Sequence, residues 1–230
     1  MSAQRISSNR LFGLPKVGES PEESKPTVLS ASLDGMADQP LTSRGAATYQ
    51  RILDAATREF AQHGIAGARI ERIVSAARTN KAQLYAYFGN KEKLFDAIFF
   101  GSLERITEVV PIDADDLADW AVRLYDEYLR RPDLIRLATW ARLERRPAGH
   151  LVAGHEQYDD RKLRAIAGAQ AAGRVRPGDP FDVMALVIAM SMAWSPVSNV
   201  YAATAQEPHE VHEQRRSLLR ESVRRAVTAG

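Results

Sequence analysis

From Thr48 onward, apolar residues recur every three or four positions along almost the whole chain. This spacing places them on one face of an α-helix. No stretch alternates β-branched and polar residues between turn residues, so the pattern does not favour a sheet. The sequence therefore predicts an all-α fold, with prolines and glycines between its helices.

The predicted helices cover residues 45–63, 69–77, 81–88, 91–109, 114–130, 133–145, 150–172, 181–203 and 208–227. Asn80 and Asn90 are suited to cap helices at the N-terminal end, and Gly64 and Gly89 to cap them at the C-terminal end. Pro196 falls inside the apolar helix 181–203 and should kink it, because proline removes a backbone donor and crowds the previous turn.

Basic residues are concentrated in residues 44–93, where nine Lys and Arg face four Asp and Glu, a net charge of +5. Residues 1–43 and 94–230 carry −1 and −2, so the whole chain has +2. A local basic block is typical of proteins that bind nucleic acid. Residues 1–43 are rich in Ser, Pro and Gly without periodicity and are expected to form a disordered tail.

Other whole-chain features narrow the possible classes of protein. The chain has no cysteine, which excludes disulfides and thiolate metal sites and suits a reducing cytoplasm. The longest apolar run, Val183 to Trp194, is too short to cross a bilayer, and the N-terminus lacks a signal-peptide pattern. We therefore expect a cytoplasmic protein with no membrane partner.

The helices predicted at 69–77 and 81–88 are separated only by the residues RTN, the arrangement of a helix-turn-helix. In that motif the second helix enters the DNA major groove. Leu84 and Phe88 should dock it on the other helices, while its outer side offers donors, acceptors and rings to bases and phosphates. These outer residues are Asn80, Lys81, Gln83, Tyr85 and Tyr87. Lys91, at the first turn of the next helix, is placed to bind a phosphate.

Residues 45–95, GAATYQRILDAATREFAQHGIAGARIERIVSAARTNKAQLYAYFGNKEKLF, resemble the N-terminal domain of the tetracycline-repressor (TetR) family of transcriptional regulators. The matching elements are RILDAATREFAQHG, IERIVSAA and NKAQLYAYFGNKEKLF. The resemblance implies a three-helix helix-turn-helix DNA-binding domain at 44–93 and a helical ligand-binding and dimerisation domain at 94–230. It also implies a homodimeric repressor that binds a palindromic double-stranded DNA operator and is released by a small-molecule effector.

The resemblance also assigns roles to residues. The family's DNA contacts fall on Lys81, Gln83, Tyr85 and Tyr87, and its phosphate contact falls on Lys91. Arg69 replaces a residue that is usually Thr and could contact a phosphate. Two other positions depart from the family. Arg78 replaces a glycine common in the turn, which would be strained at positive φ. Glu71 replaces a residue that is often basic. It could accept from cytosine N4, but we expect it to pair with Arg72 or Arg78.

The C-terminal part yields two further predictions. Trp120 and Trp140 are candidates to line the effector pocket, because a ring with a polar group can orient a mixed ligand. The alternative for each ring is a place in the ordinary hydrophobic core. The helices at 181–203 and 208–227 carry large apolar faces that a single pair of helices cannot cover. A second copy would cover them in a four-helix interface about a two-fold axis. The alternative is that the helix at 181–203 is the central helix of a monomer's own core. The interface candidates are Val187, Leu218, Leu219 and Val223.

Two other classes of function stay open. One is an architectural DNA-binding protein that responds to no ligand. The other is an all-helical enzyme, which has little support because no nucleophile motif, phosphate-binding Gly-rich loop or zinc pattern occurs. His150 and His155 would lie on different faces of a helix, and His209 and His212 are expected to be a surface pair without a third ligand. We predict no catalytic residue, no metal and no cofactor.

Overall fold

The computed structural model describes residues 43–145 and 156–228, with side chains described for all of these except 156–159. The expected disordered tail, apart from Ser43, and also His150 and His155, lie outside the described residues. The described part forms nine helices. They are α1 (Ser43–Gly67), α2 (Ile70–Ala76), α3 (Lys81–Phe88), α4 (Lys91–Val109), α5 (Leu117–Arg130), α6 (Pro132–Arg145), α7 (Glu156–Ala171), α8 (Pro180–Ser191) and α9 (His209–Val227).

The all-α fold is confirmed, and the described ranges contain no β-structure beyond an isolated bridge between Val175 and Thr228. Asn80 caps α3 by accepting from the Gln83 amide at 2.9 Å, and Asn90 caps α4 by accepting from the Lys93 amide at 2.8 Å. These side chains satisfy amides that lack a partner within the helix. The predicted bounds of α3 and α4 are therefore confirmed.

The prediction for the apolar helix at 181–203 is wrong beyond Ser191, where α8 ends. Proline cannot donate a backbone hydrogen bond, and its ring clashes with the carbonyl four residues earlier. Pro196 therefore follows the helix in a turn and does not kink it. The last turn is closed by the Met192 amide, which donates to the carbonyls of Ile188 and Ala189 at 3.2 Å each.

The apolar side chains form two clusters. One joins helices α1 to α4 and also takes in Leu137 and Ala141 of α6. The other joins α5, the start of α6, and α7 to α9. Helix α6 therefore contributes to both clusters, and the core below the helix-turn-helix extends beyond residues 44–93.

The end of α1 is held by side chains of α6. Gly64 interrupts α1 with a φ of 73° and a ψ of −176°, and one more helical turn follows it. The Glu144 carboxylate accepts from the amides of Ile65 at 2.8 Å and Ala66 at 2.7 Å. Arg136 Nε and Trp140 Nε1 donate to the Ala61 carbonyl at 2.8 Å and 3.2 Å. Both the amides after the kink and a carbonyl before it are thus bonded to the same helix.

Candidate nucleic-acid interface

The turn between α2 and α3 has the tight geometry of a helix-turn-helix. The Thr79 amide donates to the Val74 carbonyl at 3.0 Å, and Arg78 has a φ of 52°. The positive φ that a family glycine would accommodate is therefore present with an arginine side chain, at a cost of about 1–2 kcal/mol. Leu84 and Phe88 are buried against the neighbouring helices, as predicted.

The outer side of α3 presents Lys81 and Tyr85, and the Tyr85 side chain is 42% exposed. Lys81 Nζ lies 2.5 Å from Oε1 of Glu71. This hydrogen bond raises the pKa of Lys81 and lowers the pKa of Glu71, so both groups are charged at neutral pH. The predicted pairing of Glu71 with Arg72 or Arg78 is wrong, because α3 brings Lys81 beside Glu71 while Arg72 binds Glu59.

Gln83, Tyr87 and Asn80 are more constrained than Tyr85. The side-chain carbonyl oxygen of Gln83 accepts from the Thr79 hydroxyl at 2.6 Å, so the side-chain N–H groups of Gln83 remain available to bind DNA. The Tyr87 hydroxyl donates to the Gly45 carbonyl at 3.4 Å, and its ring forms a T-shaped pair with the ring of Tyr49, with centroids 5.6 Å apart. The Asn80 side chain serves as the cap of α3. Asn80 and Tyr87 therefore stabilise the placement of the helix.

Arg69 belongs to the loop that joins α1 to α2, and Lys91 contacts that region from the start of α4. Arg69 is exposed at the start of α2. Lys91 Nζ donates to the carbonyls of Ala66 at 3.3 Å and Ala68 at 3.4 Å. A lysine ammonium has a further N–H group with which it could bind a phosphate. In this structure Lys91 also closes the loop after α1.

Glu59 is a buried acid that the sequence reasoning missed. It accepts from Arg72 Nε at 2.8 Å and from the Arg69 amide at 2.9 Å, which fixes α2 against α1. Burial raises the pKa of Glu59, but hydrogen bonds from Arg72 and from the Arg69 amide outweigh it, so the pKa is lowered overall. The residues are 10 to 13 positions apart and on different helices. No local pattern in the sequence could have paired them.

The two effector-pocket candidates use their indole N–H groups within the protein. Trp120 is buried, and its Nε1 donates to the Val110 carbonyl at 3.3 Å. Trp140 Nε1 donates to Ala61, as described above. The polar group that made these residues attractive for a ligand is therefore already bonded.

Three of the four dimer-interface candidates are buried within the protomer itself: Val187, Leu219 and Val223. Leu218 is the exception, because its side chain is 56% exposed. Phe181 and Leu186 of α8 are also exposed. The sequence pattern identified apolar helices correctly, but it could not distinguish residues covered by the same chain from residues left open.

The expectation that His209 and His212 form a surface pair is wrong, because His212 is buried. Its Nδ1 lies 2.7 Å from the Tyr125 hydroxyl, and its Nε2 lies 3.2 Å from the Thr204 carbonyl. A carbonyl can only accept, so Nε2 carries a proton, and in the neutral tautomer Nδ1 then accepts from Tyr125. The described residues contain no cluster of three potential metal ligands and no helix that is long and apolar enough to cross a membrane.

Comparison with known proteins assigns both parts of the chain. Residues 52–98 match the family described as "Bacterial regulatory proteins, tetR family". Residues 116–225 match the family described as "Tetracyclin repressor-like, C-terminal domain". Together the two matches cover most of the helices described above.

Individual relatives agree with this assignment. The HTH-type transcriptional repressor SCO4008 of Streptomyces coelicolor is 40% identical over 148 residues, which are 63% of this chain and 77% of the relative. The HTH-type transcriptional repressor NicS of Pseudomonas putida is 30% identical over 137 residues, which are 56% of this chain and 60% of NicS.

Crystal structures show the same fold. The Streptomyces coelicolor protein SCO4942 superposes with a TM-score of 0.67 at 36% identity, covering 80% of this chain and 99% of that one. AibR, in complex with isovaleryl coenzyme A and operator DNA, superposes with a TM-score of 0.58 at 21% identity, covering 76% and 97%. The chain belongs to the TetR family of helix-turn-helix transcriptional regulators.

Proposed function

We propose that the protein is a transcriptional repressor that binds a palindromic operator as a homodimer and leaves it when a small molecule binds. The helix-turn-helix carries this proposal, because α3 is docked by Leu84 and Phe88 and exposes Lys81 and Tyr85 in a block of net charge +5. The relatives SCO4008 and NicS are named repressors. The AibR structure contains both an acyl-coenzyme A and operator DNA.

In this proposal α3 enters the major groove. Lys81 breaks its ion pair with Glu71 and binds DNA instead. The Tyr85 hydroxyl and the Gln83 amide reach base edges or phosphates. Arg69 and Lys91 bind phosphates of the DNA backbone. Asn80 and Tyr87, near the two ends of α3, hold this helix in position and also contact the duplex. Residues 44–93 act as the DNA-binding domain and residues 94–230 as the effector-binding and dimerisation domain.

The dimer interface is proposed to use the open apolar side chains of α8 and α9. Phe181, Leu186 and Leu218 are exposed in the protomer and would be buried against a second copy. Val187, Leu219 and Val223 support that surface from within. A two-fold axis through it would present two copies of α3 to half-sites about 34 Å or a multiple of that distance apart.

The effector is proposed to bind in the C-terminal domain. The indole N–H groups of Trp120 and Trp140 are already bonded within the protein, so these residues could contribute only their ring faces to the effector site. We also propose that the protein acts in the cytoplasm, because a regulator of this kind binds operator DNA, and that it uses no catalytic residue. A ligand-blind architectural protein would differ in one measurable way. No small molecule would both raise its melting temperature and release its DNA.

The experiment that tests this function is selection of bound duplexes from random DNA by the full chain, followed by a mobility-shift assay. We expect an enriched palindrome, and a complex of two chains per duplex. The double variant Lys81→Ala, Tyr85→Ala is the matched control, because both residues are exposed and its helical content should remain unchanged. Absence of any enriched sequence with the wild-type chain would contradict the proposal.

A further inference from the structure

A cleft of about 430 Å³ lies beside α3, where the start of α1 meets the turn of the helix-turn-helix. The cleft is lined by Arg44, Gly45, Thr48, Arg51, Arg78, Gln83 and Tyr87. We call it the arginine cleft. Three of its lining residues carry a guanidinium group and none carries a carboxylate, so its interior is strongly positive.

The arginines of this cleft are not neutralised by acids in the described part of the chain. Arg51 is fixed by uncharged partners, because its Nε donates to the Ala77 carbonyl at 3.1 Å and its Nη2 to the Thr48 hydroxyl at 2.8 Å. Two other cations of the same domain differ, since Arg72 pairs with Glu59 and Lys81 with Glu71. A guanidinium has more N–H donors than the bonds of Arg51 use. The arginine cleft therefore offers positive donors, with Arg51 held in place, to an anion from outside.

The backbone of Arg78 supports the same conclusion. Arg78 is the one non-glycine residue with positive φ among those described, at 52°. An L-residue in this region is strained, and such strain is concentrated at functional sites. No ion pair of its guanidinium with a described acid offsets the strain. The side chain that is held there lines the arginine cleft.

Two walls of the arginine cleft belong to α3 itself. Gln83 and Tyr87 line it, and the Tyr87 hydroxyl donates to the Gly45 carbonyl at 3.4 Å, which ties α3 to the start of α1. An anion in the cleft would therefore lie directly beside the helix that enters the major groove. Backbone phosphates border that groove, and arginine binds phosphate with paired N–H groups.

We propose that the arginine cleft binds a backbone phosphate of the operator, on the strand bordering the groove that α3 enters. Arg44, Arg51 and Arg78 would thereby set the depth and register of α3 without reading sequence. This inference rests on the proposed function, and it assigns phosphate binding to three residues outside the predicted set of DNA contacts. A free inorganic phosphate shares the same chemistry, so the experiment separates the two sources.

The test uses the full chain with Arg78→Gln and, separately, Arg44→Gln. Binding to the selected operator and to a scrambled duplex is measured over a range of KCl concentrations. Removing one cation that neutralises a phosphate should reduce the slope of log K against log salt by about 0.9 per protomer. Both duplexes should lose affinity by a similar factor. Arg105→Gln is the matched control, because Arg105 is exposed on α4, its substitution removes the same charge, and it does not line the cleft.

Three results would overturn the inference. The first is an unchanged salt slope in both cleft variants while the wild-type chain still selects its operator, which leaves the proposed function standing. The second is lost discrimination between the duplexes at an unchanged slope, which would make these arginines base-reading residues. The third is an unchanged slope with a stabilisation of the wild-type chain by inorganic phosphate that Arg78→Gln abolishes, which would mark a free-anion site. A wild-type chain that binds no duplex overturns both proposals. If Arg78→Gln does not fold by circular dichroism, Arg44→Gln decides alone.

Discussion

Gly64→Ala should destabilise the protein far more than a glycine substitution elsewhere in its helices. The backbone at Gly64 has a φ of 73° and a ψ of −176°, a region that is essentially restricted to glycine and costs other residues about 1–3 kcal/mol. An added Cβ would also clash with Oε1 of Glu144 and lie 2.9 Å from Cε3 of Trp140. The carboxylate would then have to leave the amides of Ile65 and Ala66.

The two contributions can be combined into an expected magnitude. Hydrogen bonds to a charged group contribute about 1.5–3 kcal/mol each when well formed, and partial exposure of this pair reduces that figure. Together with the backbone strain, we expect a loss of about 3–5 kcal/mol in the free energy of unfolding. For a chain of this size that corresponds to a fall of roughly 6–20 °C in melting temperature.

The assay is thermal and urea denaturation of Gly64→Ala beside Gly101→Ala. Gly101 lies inside α4, where an added Cβ would meet nothing within 4 Å. Alanine there should stabilise the protein by about 0.5–1 kcal/mol, because it restricts the unfolded chain. Equal effects of the two substitutions would refute the reasoning from the Gly64 backbone and the Glu144 carboxylate.

Three other perturbations have defined outcomes. Lys81→Ala and Tyr85→Ala should each weaken operator binding by about 1–3 kcal/mol in a mobility-shift assay with helical content unchanged, and wild-type affinity in both would remove α3 as the recognition helix. Leu218→Glu should give folded monomers in light scattering, whereas Leu219→Glu should unfold the chain because Leu219 is buried in the protomer. A dimeric Leu218→Glu would place the interface elsewhere. Burial raises the pKa of Tyr128 to about 12, so its contribution is complete below pH 10 and is lost as pH rises to 12, at about 1.4 kcal/mol per pH unit. In Tyr128→Phe the free energy of unfolding, measured by urea denaturation, should fall less steeply between pH 10 and 12 than in the wild-type chain. An unchanged pH dependence would contradict the raised pKa.

The parts of the fold that local sequence controls were predictable. The bounds of α3 and the start of α4 follow from Asn80, Gly89 and Asn90, because a capping side chain and a glycine stop act within a few residues of the helix end. The strained turn at Arg78 was also predictable. The resemblance to the family has no insertions or deletions around the turn, so it aligned Arg78 with the family's glycine.

Contacts between distant segments were not predictable. The bond between Glu144 and the Ile65 amide joins residues 79 positions apart, and the pairing of Glu71 with Lys81 depends on how α2 and α3 pack. The apolar residues of α8 and α9 show the same limit. Periodicity identifies a face that must be covered, but burial of Val187 and Leu219 by the chain itself depends on tertiary packing.

The hold of α6 on the end of α1 has a consequence for recombining domains of this family by protein engineering. A chimera cut after Val109, at the end of α4, would transplant the helix-turn-helix without Leu137 and Ala141, which complete its core, and without Glu144, which accepts from its backbone. If the foreign C-terminal domain lacks these three side chains, the core of the helix-turn-helix domain will be left partly uncovered. The amides of Ile65 and Ala66 will also lose their acceptor. Grafts of new DNA specificity onto this chain should therefore replace the outer side of α3 and leave the α1–α6 junction native.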